Sequence, residues 1–234
     1  MQPVFQGGPQ SAATGVSRAD FIRNAYTYLA GALMGFVVLS ALLHASGVGR
    51  ATMGLMRSGG VWLAVLGAFM LVGWLATHLA DNAKSHRTQL MGLGIYVLAE
   101  ALIFAPMFAI ANAVAPGAIG AAALITTLLV GGLTWTAFTV KTNFSFLGGA
   151  LKIIGLVALG TIVAGAIFGF SLGLWFSALM VVFAGAAVLY DTSRIIHEYP
   201  TDRPAGAALH LFASIALMLW YVLRILISLA SSDD

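Results

Sequence analysis

Apolar residues fill seven long stretches of this chain, and most charged residues lie in the short segments between them. A helix needs about 20 apolar residues to cross a hydrocarbon core of roughly 30 Å. The stretches are continuously apolar and do not alternate with a period of two, so they predict an all-α integral membrane protein with seven transmembrane helices and not a β-barrel. The predicted spans are Tyr26–Ser46, Gly60–Asp81, Leu90–Val114, Gly117–Val140, Phe146–Phe170, Leu174–Ile195 and Ala205–Ala230.

The links between the spans are short, which predicts one transmembrane domain over residues 21–230. Residues 1–20 are mostly polar and contain no apolar core typical of a removable signal. We expect them to form a flexible cytosolic tail. Asn143 is predicted to cap the fifth span, because asparagine is a favoured residue at helix N-termini.

The composition agrees with a chain that faces lipid. Hydrophobic residues make up 60% of the chain and charged residues only 8%, whereas a soluble domain has about 25% charged residues. The absence of cysteine excludes disulfides, thiolate metal sites and cysteine nucleophiles. The net charge of +3 comes from basic residues scattered through the links, so we expect no nucleic-acid partner and expect the lipid bilayer instead.

The distribution of basic residues predicts the orientation in the membrane. Arg50 and Arg57 lie on the side that holds the first link, and the C-terminal Asp233–Asp234 falls on that side too. The positive-inside rule therefore places the N-terminus in the cytosol and the C-terminus outside. Arg224, near the end of the last span, fits this rule poorly and is expected to reach the outer interface or to pair within the bundle. The basic residues on the predicted cytosolic side are Arg18, Arg23, Lys84, Arg87, Lys141, Arg194 and Arg203.

Glu100 is an ionisable residue close to the middle of the third span. A carboxylate at that depth is costly, so it must be protonated, paired or in contact with water. One interpretation is a group on an ion or proton path. The other is a protonated glutamic acid that is hydrogen-bonded to a neighbouring helix.

Asp191 and His210 lie near the same ends of the sixth and seventh spans, at similar depth. His210, Ser214 and Tyr221 share one face of the last span, and such a polar stripe normally points into a bundle. We therefore predict that the Asp191 carboxylate faces the His210 imidazole and forms a pH-sensitive latch, with Ser214 beside it. The alternative is an interfacial aspartate and histidine without partners.

His78 and Asp81 end the second span one turn apart and are possible supporting residues. The chain contains no His-Glu-x-x-His metal motif, no Gly-x-Ser-x-Gly nucleophile motif and no phosphate-binding glycine loop. We therefore expect no enzyme, no catalytic residues, no metal site and no cofactor. A weaker alternative is an intramembrane hydrolase in which Asp191, His78 and His210 converge.

Six segments carry a resemblance to a known family. The chain resembles the Bax inhibitor-1 family, also called the transmembrane Bax inhibitor motif family, and specifically its bacterial YccA-like branch. The likeness covers roughly Arg18 to Leu229. The segments are Phe21-Ile-Arg-Asn-Ala-Tyr26, Glu100-Ala-Leu-Ile-Phe-Ala-Pro106, Lys141-Thr-Asn-Phe-Ser-Phe-Leu-Gly-Gly149, Leu189-Tyr-Asp-Thr192, Ala208-Leu-His-Leu-Phe212 and Trp220-Tyr-Val-Leu-Arg-Ile225.

The resemblance implies six helices around a central C-terminal helix, in a bacterial inner membrane, and a pH-sensitive leak for a cation, namely calcium. It also implies a carboxylate pair on the sixth and seventh helices that closes the pore at its cytosolic side. Asp191 stands at the first of these positions, but the second falls at Ser214, which carries no charge. His210, one turn away, is our candidate for the missing titrating group. The resemblance equally permits a non-conducting regulator that acts through partners, such as a membrane protease or a stress-response or cell-death complex.

Overall fold

A computed structural model of the chain describes residues 17–54, 59–82, 85–140 and 142–231. Each of the seven predicted spans corresponds to a helix that is long and apolar enough to cross a membrane, which confirms the all-α membrane fold. The predicted tail up to residue 16 lies outside the described residues, as do Arg57, Lys84, Lys141 and Asp233–Asp234. The seven helices are α1 (Arg18–Ala45), α2 (Gly59–Asn82), α3 (His86–Val114), α4 (Ala118–Thr139), α5 (Leu147–Phe168), α6 (Gly173–His197) and α7 (Pro204–Ala230).

Several helices extend beyond the apolar windows that predicted them. The first begins at Arg18 and not at Tyr26, because Ser17 caps it by accepting a hydrogen bond from the backbone N–H of Asp20 at 3.1 Å. The acidic side chain of Asp20 in the first turn also suits the positive end of the helix dipole. Apolar windows therefore locate the membrane segments, whereas polar caps set where the helices end.

The last helix is the central one. It packs against α1, α2, α3, α4 and α6, and α5 reaches it through a small cluster of Ala158, Met180 and Tyr221. The arrangement of six helices around a C-terminal seventh agrees with the fold that the family resemblance implies. The third helix is buried to a similar extent and forms a second interior element.

Aromatic side chains fill the interior between α1, α3 and α7. The Phe36 ring meets Phe104 edge-on with centroids 5.1 Å apart and Phe212 with centroids 5.9 Å apart. On its other side Phe104 meets Trp220 at 5.1 Å, nearly perpendicular. Edge-to-face pairs add stabilisation beyond their buried area. These rings hold the three helices together at mid-depth.

The outer surface carries large apolar side chains. Trp175 is 84% exposed and Trp135 is 73% exposed, and they lie towards opposite ends of the bundle. Such a surface suits lipid contact, and tryptophan is typical of the two membrane interfaces. We call the end at which α1 and α7 begin and α6 ends the basic end, because Arg18, Arg194 and Arg203 lie there. The other is called the opposite end.

Candidate functional site

Asp191 and Ser214 form a buried hydrogen bond between α6 and α7. The Ser214 hydroxyl donates to Oδ2 of Asp191 at 2.6 Å, and both residues are 8% exposed. A short bond from a hydroxyl to a carboxylate is stronger than one between neutral groups. It joins the central helix to α6 one turn further along α7 than His210, the residue at whose level the sequence analysis places Asp191.

His210 does not pair with Asp191. Its Nε2 lies 2.8 Å from Oδ2 of Asp81 at the end of α2, so the predicted hydrogen bond between Asp191 and His210 is wrong. His210 lies one turn closer to the basic end than Ser214, and at that level it meets α2 and not α6. The Asp81 and His210 side chains are 27% and 31% exposed, so this pair is more accessible than the bond between Asp191 and Ser214.

The link between α6 and α7 supplies a third partner, Tyr199, which the sequence analysis missed. Its hydroxyl donates to Oδ1 of Asp81 at 2.5 Å. Burial, and then this hydrogen bond, raises the pKa of the Tyr199 phenol, so the hydroxyl remains a donor. Both carboxylate oxygens of Asp81 are therefore bonded, one to the link and one to α7.

Gly206 permits this close approach. A Cβ atom there would overlap Oδ1 of Asp81 and would lie 2.8 Å from the hydroxyl oxygen of Tyr199. Glycine is the one residue without a Cβ atom, so it lets the first turn of α7 pass directly over the carboxylate. The position of this glycine just before a polar face is the sequence signal that could have indicated a contact here.

Two arginines surround the link at the basic end. The Arg194 guanidinium lies 5.0 Å from the ring centroid of Tyr199 and 5.4 Å from that of Tyr190. Nη1 of Arg18 donates to the carbonyl oxygen of Tyr199 at 2.6 Å. The start of α1 is thereby joined to the segment that positions Asp81 and His210.

Asn143 connects the loop before α5 to the end of α6. Its Nδ2 donates to Oε1 of Glu198 at 2.7 Å, and its Oδ1 accepts from the Ser193 hydroxyl at 3.0 Å. The same oxygen accepts a hydrogen bond from the backbone N–H of Ser145, so Asn143 caps the 3-10 helix Phe144–Phe146. The sequence had predicted it as the cap of α5 itself. The bond from Asn143, and then one from Ser145, lowers the pKa of the Glu198 carboxyl.

Glu100 lies on the wall of a cavity between α2, α3, α5, α6 and α7. The residue is 6% exposed, and its interaction partner is the hydroxyl of Tyr96, one turn earlier in α3. The cavity has a volume of about 450 Å³ and extends along α7 from Ser214 to Arg224. Glu100 and the Asp191–Ser214 bond are therefore connected by open space.

Arg224 also faces this cavity, at the end remote from Ser214. Its side chain forms no ion pair with any of the residues that the structure describes. The pairing within the bundle that the sequence offered as one possibility is therefore not found in the described ranges. Tyr221, three residues earlier on α7, lines the same cavity.

His78 is not part of the cluster around His210. Its ring stacks on Trp74 with centroids 5.6 Å apart and is hydrogen-bonded to Asn82. The convergence of Asp191, His78 and His210 required for a hydrolase is therefore not formed. Within residues 17–54, 59–82, 85–140 and 142–231, no group of three or more histidine, aspartate or glutamate side chains could hold a metal ion.

Comparison with known families identifies the family of this chain. A family model described as "Inhibitor of apoptosis-promoting Bax1" matches residues 18–232. The chain belongs to the Bax inhibitor-1 family. The match extends over all seven membrane helices and confirms the resemblance seen in the sequence. No curated protein matches the chain.

Membership of the Bax inhibitor-1 family places the chain among integral membrane proteins that act as regulators or channels. In this Bax inhibitor-1 protein the bond between α6 and α7 joins one carboxylate, Asp191, to a hydroxyl, Ser214. A second carboxylate does approach the central helix, but it is Asp81 from α2. The polar contacts of α7 are thus divided between two neighbouring helices.

Proposed function

We propose that this protein is a pH-sensitive cation leak, with calcium as the transported ion, gated near the basic ends of α6 and α7. We further propose that the basic end faces the cytosol of a bacterial inner membrane, as the positive-inside rule predicts. The observation that carries the proposal is the cavity beside Glu100, which ends at Ser214, where the hydroxyl is bonded to Asp191. Opening that bond would extend the cavity towards the basic end.

The gate in this proposal consists of two links on successive turns of α7. The inner link is Asp191 with Ser214, and the outer link is Asp81 with His210. The other charged or titratable groups that act on Asp191 are Arg194, His210 and Tyr199. Both links bind the central helix, so the outer link limits how far α7 moves when the inner link opens.

Protonation affects the two links in opposite ways. A proton on Asp191 replaces a charge-assisted bond to Ser214 with a weaker neutral one, so acidification loosens the inner link. A proton on His210 creates a cation beside the Asp81 carboxylate, so mild acidification strengthens the outer link. We therefore propose Asp191 as the residue that couples pH to opening, with Asp81 and His210 limiting how far α7 moves.

The path suits slow passage of a hard cation. Calcium prefers oxygen ligands, and the cavity and gate offer those of Glu100, Ser214 and Asp191. The positive charge of Arg224 opposes cation entry from the opposite end. A leak of low rate follows from this arrangement. The proposal assigns no catalytic residue and no cofactor.

Calcium flux into liposomes that contain the purified protein tests the proposal. The flux is followed with an entrapped calcium dye at mildly alkaline and mildly acidic pH. We expect faster flux at the acidic pH in the unaltered protein and flux that is insensitive to pH in Asp191→Ala. The matched control is Asp202→Asn, because Asp202 lies at the same end with its side chain 73% exposed.

Two results would contradict this proposal. An unchanged pH profile in Asp191→Ala would remove Asp191 from the gate. Absence of protein-dependent calcium flux at both pH values would overturn the leak itself and leave the second reading, a non-conducting regulator that acts through a protein partner such as a membrane protease.

A further inference from the structure

Arg224 presents a cation to the cavity without a counter-ion among the described residues. An unpaired charge within a membrane helix is costly, and the cost falls when an anion binds to it. A guanidinium is also planar and can bind both oxygens of a carboxylate at once. A ligand with an anionic head group would supply the missing counter-ion.

The remaining walls of the cavity suit a hydrocarbon chain. Trp62 and Trp220 stack with centroids 6.3 Å apart, and Phe69 and Phe104 also line the space. Of the lining residues, only Arg224 and Glu100 carry ionisable acid or strongly basic groups. A ligand with one anionic group at Arg224 and an apolar body along the aromatic walls matches this distribution.

The dimensions limit the ligand to a single chain. The volume of about 450 Å³ lies in the lower half of the range of about 300–1,000 Å³ that is typical of small-molecule pockets. The segment of α7 from Ser214 to Arg224 has a length of about 15 Å at the rise of an α-helix. This length and volume suit one acyl chain better than the two chains of a phospholipid.

We propose that the cavity binds a single-chain carboxylate amphiphile, a medium-chain fatty acid, with its carboxylate paired to Arg224. The acyl chain lies along Trp62, Phe69 and Trp220 and points towards Ser214. Binding of the fatty acid does not depend on whether the protein is gated or conducts ions. One consequence, that an occupant beside Glu100 obstructs the cavity and slows calcium flux, rests on the proposed function.

Photolabelling tests this proposal in nanodiscs of phosphatidylcholine, a lipid without net charge. The probe is dodecanoate that carries a photoreactive diazirine on its chain, and labelled residues are identified by mass spectrometry. We expect saturable labelling of cavity residues such as Trp62 and Trp220, competed by dodecanoate and not by dodecanol. The competition by dodecanol uses the unaltered protein, so the test does not depend on the folding of a variant.

Variants of the arginine sharpen the test. We expect Arg224→Gln to reduce the saturable labelling about tenfold, because the charge pair with the carboxylate is lost. Arg224→Lys should retain part of it, because an ammonium group keeps the charge but cannot bind both carboxylate oxygens in the same way. The matched control is Arg23→Gln, which removes a positive charge from an exposed position at the basic end and should change nothing. Thermal unfolding of each variant shows whether it is folded.

Four results would overturn the proposal. The first is unsaturable labelling spread over lipid-facing residues such as Trp74 and Trp175. The second is equal competition by dodecanol, and the third is undiminished labelling of a folded Arg224→Gln protein. The fourth is equal competition by phosphatidylglycerol, which would assign the site to a two-chain lipid. Saturable labelling without calcium flux would retain this site and overturn the leak, and flux without labelling would do the reverse.

Discussion

The two halves of α7 meet their neighbours in opposite ways. From Pro204 to Ser214 the helix packs closely, and its polar side chains His210 and Ser214 are both bonded to carboxylates of other helices. From Ser214 to Arg224 the same helix lines one wall of a cavity, where Arg224 has no ion-pair partner among the described residues. The comparison shows that one continuous helix closes the bundle at the basic end and leaves space towards the other.

The largest effect on stability is expected from a larger side chain in the closely packed half of α7, Pro204 to Ser214. In Gly206→Ala the new Cβ overlaps Oδ1 of Asp81 and must displace either the carboxylate or Tyr199. We expect a loss of about 1–3 kcal/mol of unfolding free energy, which is typical of overpacking. The matched control is Gly31→Ala, because nothing lies within 4 Å of a Cβ atom there. Equal thermal unfolding temperatures for the two variants would contradict the close packing described here.

The next largest effect is on calcium flux and concerns the half of α7 that lines the cavity. It rests on the proposed leak. Removing the positive charge in Arg224→Gln should raise calcium flux about tenfold, because a charge that opposes cation entry is lost. Arg224→Lys keeps the charge and should leave the flux nearly unchanged. Liposome flux at one fixed pH measures both. If both variants alter the flux equally, the shape of the side chain matters and its charge does not.

A smaller effect should separate the outer link from ordinary packing. Asp81→Ala and His210→Ala, alone and together, form a double-mutant cycle whose coupling free energy measures their direct interaction. We expect a coupling of about 1 kcal/mol, because both side chains are partly exposed and solvent screens the pair. Asp202→Ala with His210→Ala is the control cycle and should give no coupling. Chemical unfolding in mild detergent is suitable for the measurement.

The smallest effect lies at the surface of the basic end. Asn143→Ala removes the main cause of the lowered pKa of the Glu198 carboxyl, so that pKa should rise towards its ordinary value. A depressed pKa stabilises the fold above the pKa of the unfolded chain, and this contribution disappears as the pH falls through the folded pKa. The loss of stability should therefore be present near neutral pH and absent in strong acid. Carboxyl NMR titration of Glu198 measures the pKa, and an unchanged pKa would show that Ser145, Arg194 and His197 maintain the shift without Asn143.

The sequence predicted the fold but not the pairing within the site. Seven apolar windows were sufficient for seven helices, but counting residues from the same end placed Asp191 level with His210, whereas it meets Ser214 one turn further along α7. Which way a residue on α7 faces depends on the rotation of that helix against α2 and α6, and a hydrophobic pattern does not determine this angle. For that reason His210 was assigned to Asp191, whereas its partner is Asp81.

The sequence also did not predict the cavity or the contacts of the segment between α6 and α7. Arg224 fitted the charge rule poorly, but the volume beside it comes from the limited contact between α5 and α7, which no local pattern encodes. Tyr199 lies in the segment between two spans, so its depth could not be counted along a helix and its bond to Asp81 was not predicted. Asn143 was correctly chosen as a cap, but its helix is the short 3-10 turn before α5.

The brief connection between α6 and α7, residues 198–203, restricts how the bundle can rearrange. Its Tyr199 is fixed on one side by Arg18 and on the other by Asp81, so the adjoining helix ends remain next to each other. Lateral separation of these ends is therefore disfavoured. Rotation of α7 about its own axis, or tilting of its far half, is the motion that the tether still allows, and labels for distance measurements belong near Arg224 and not near Pro204.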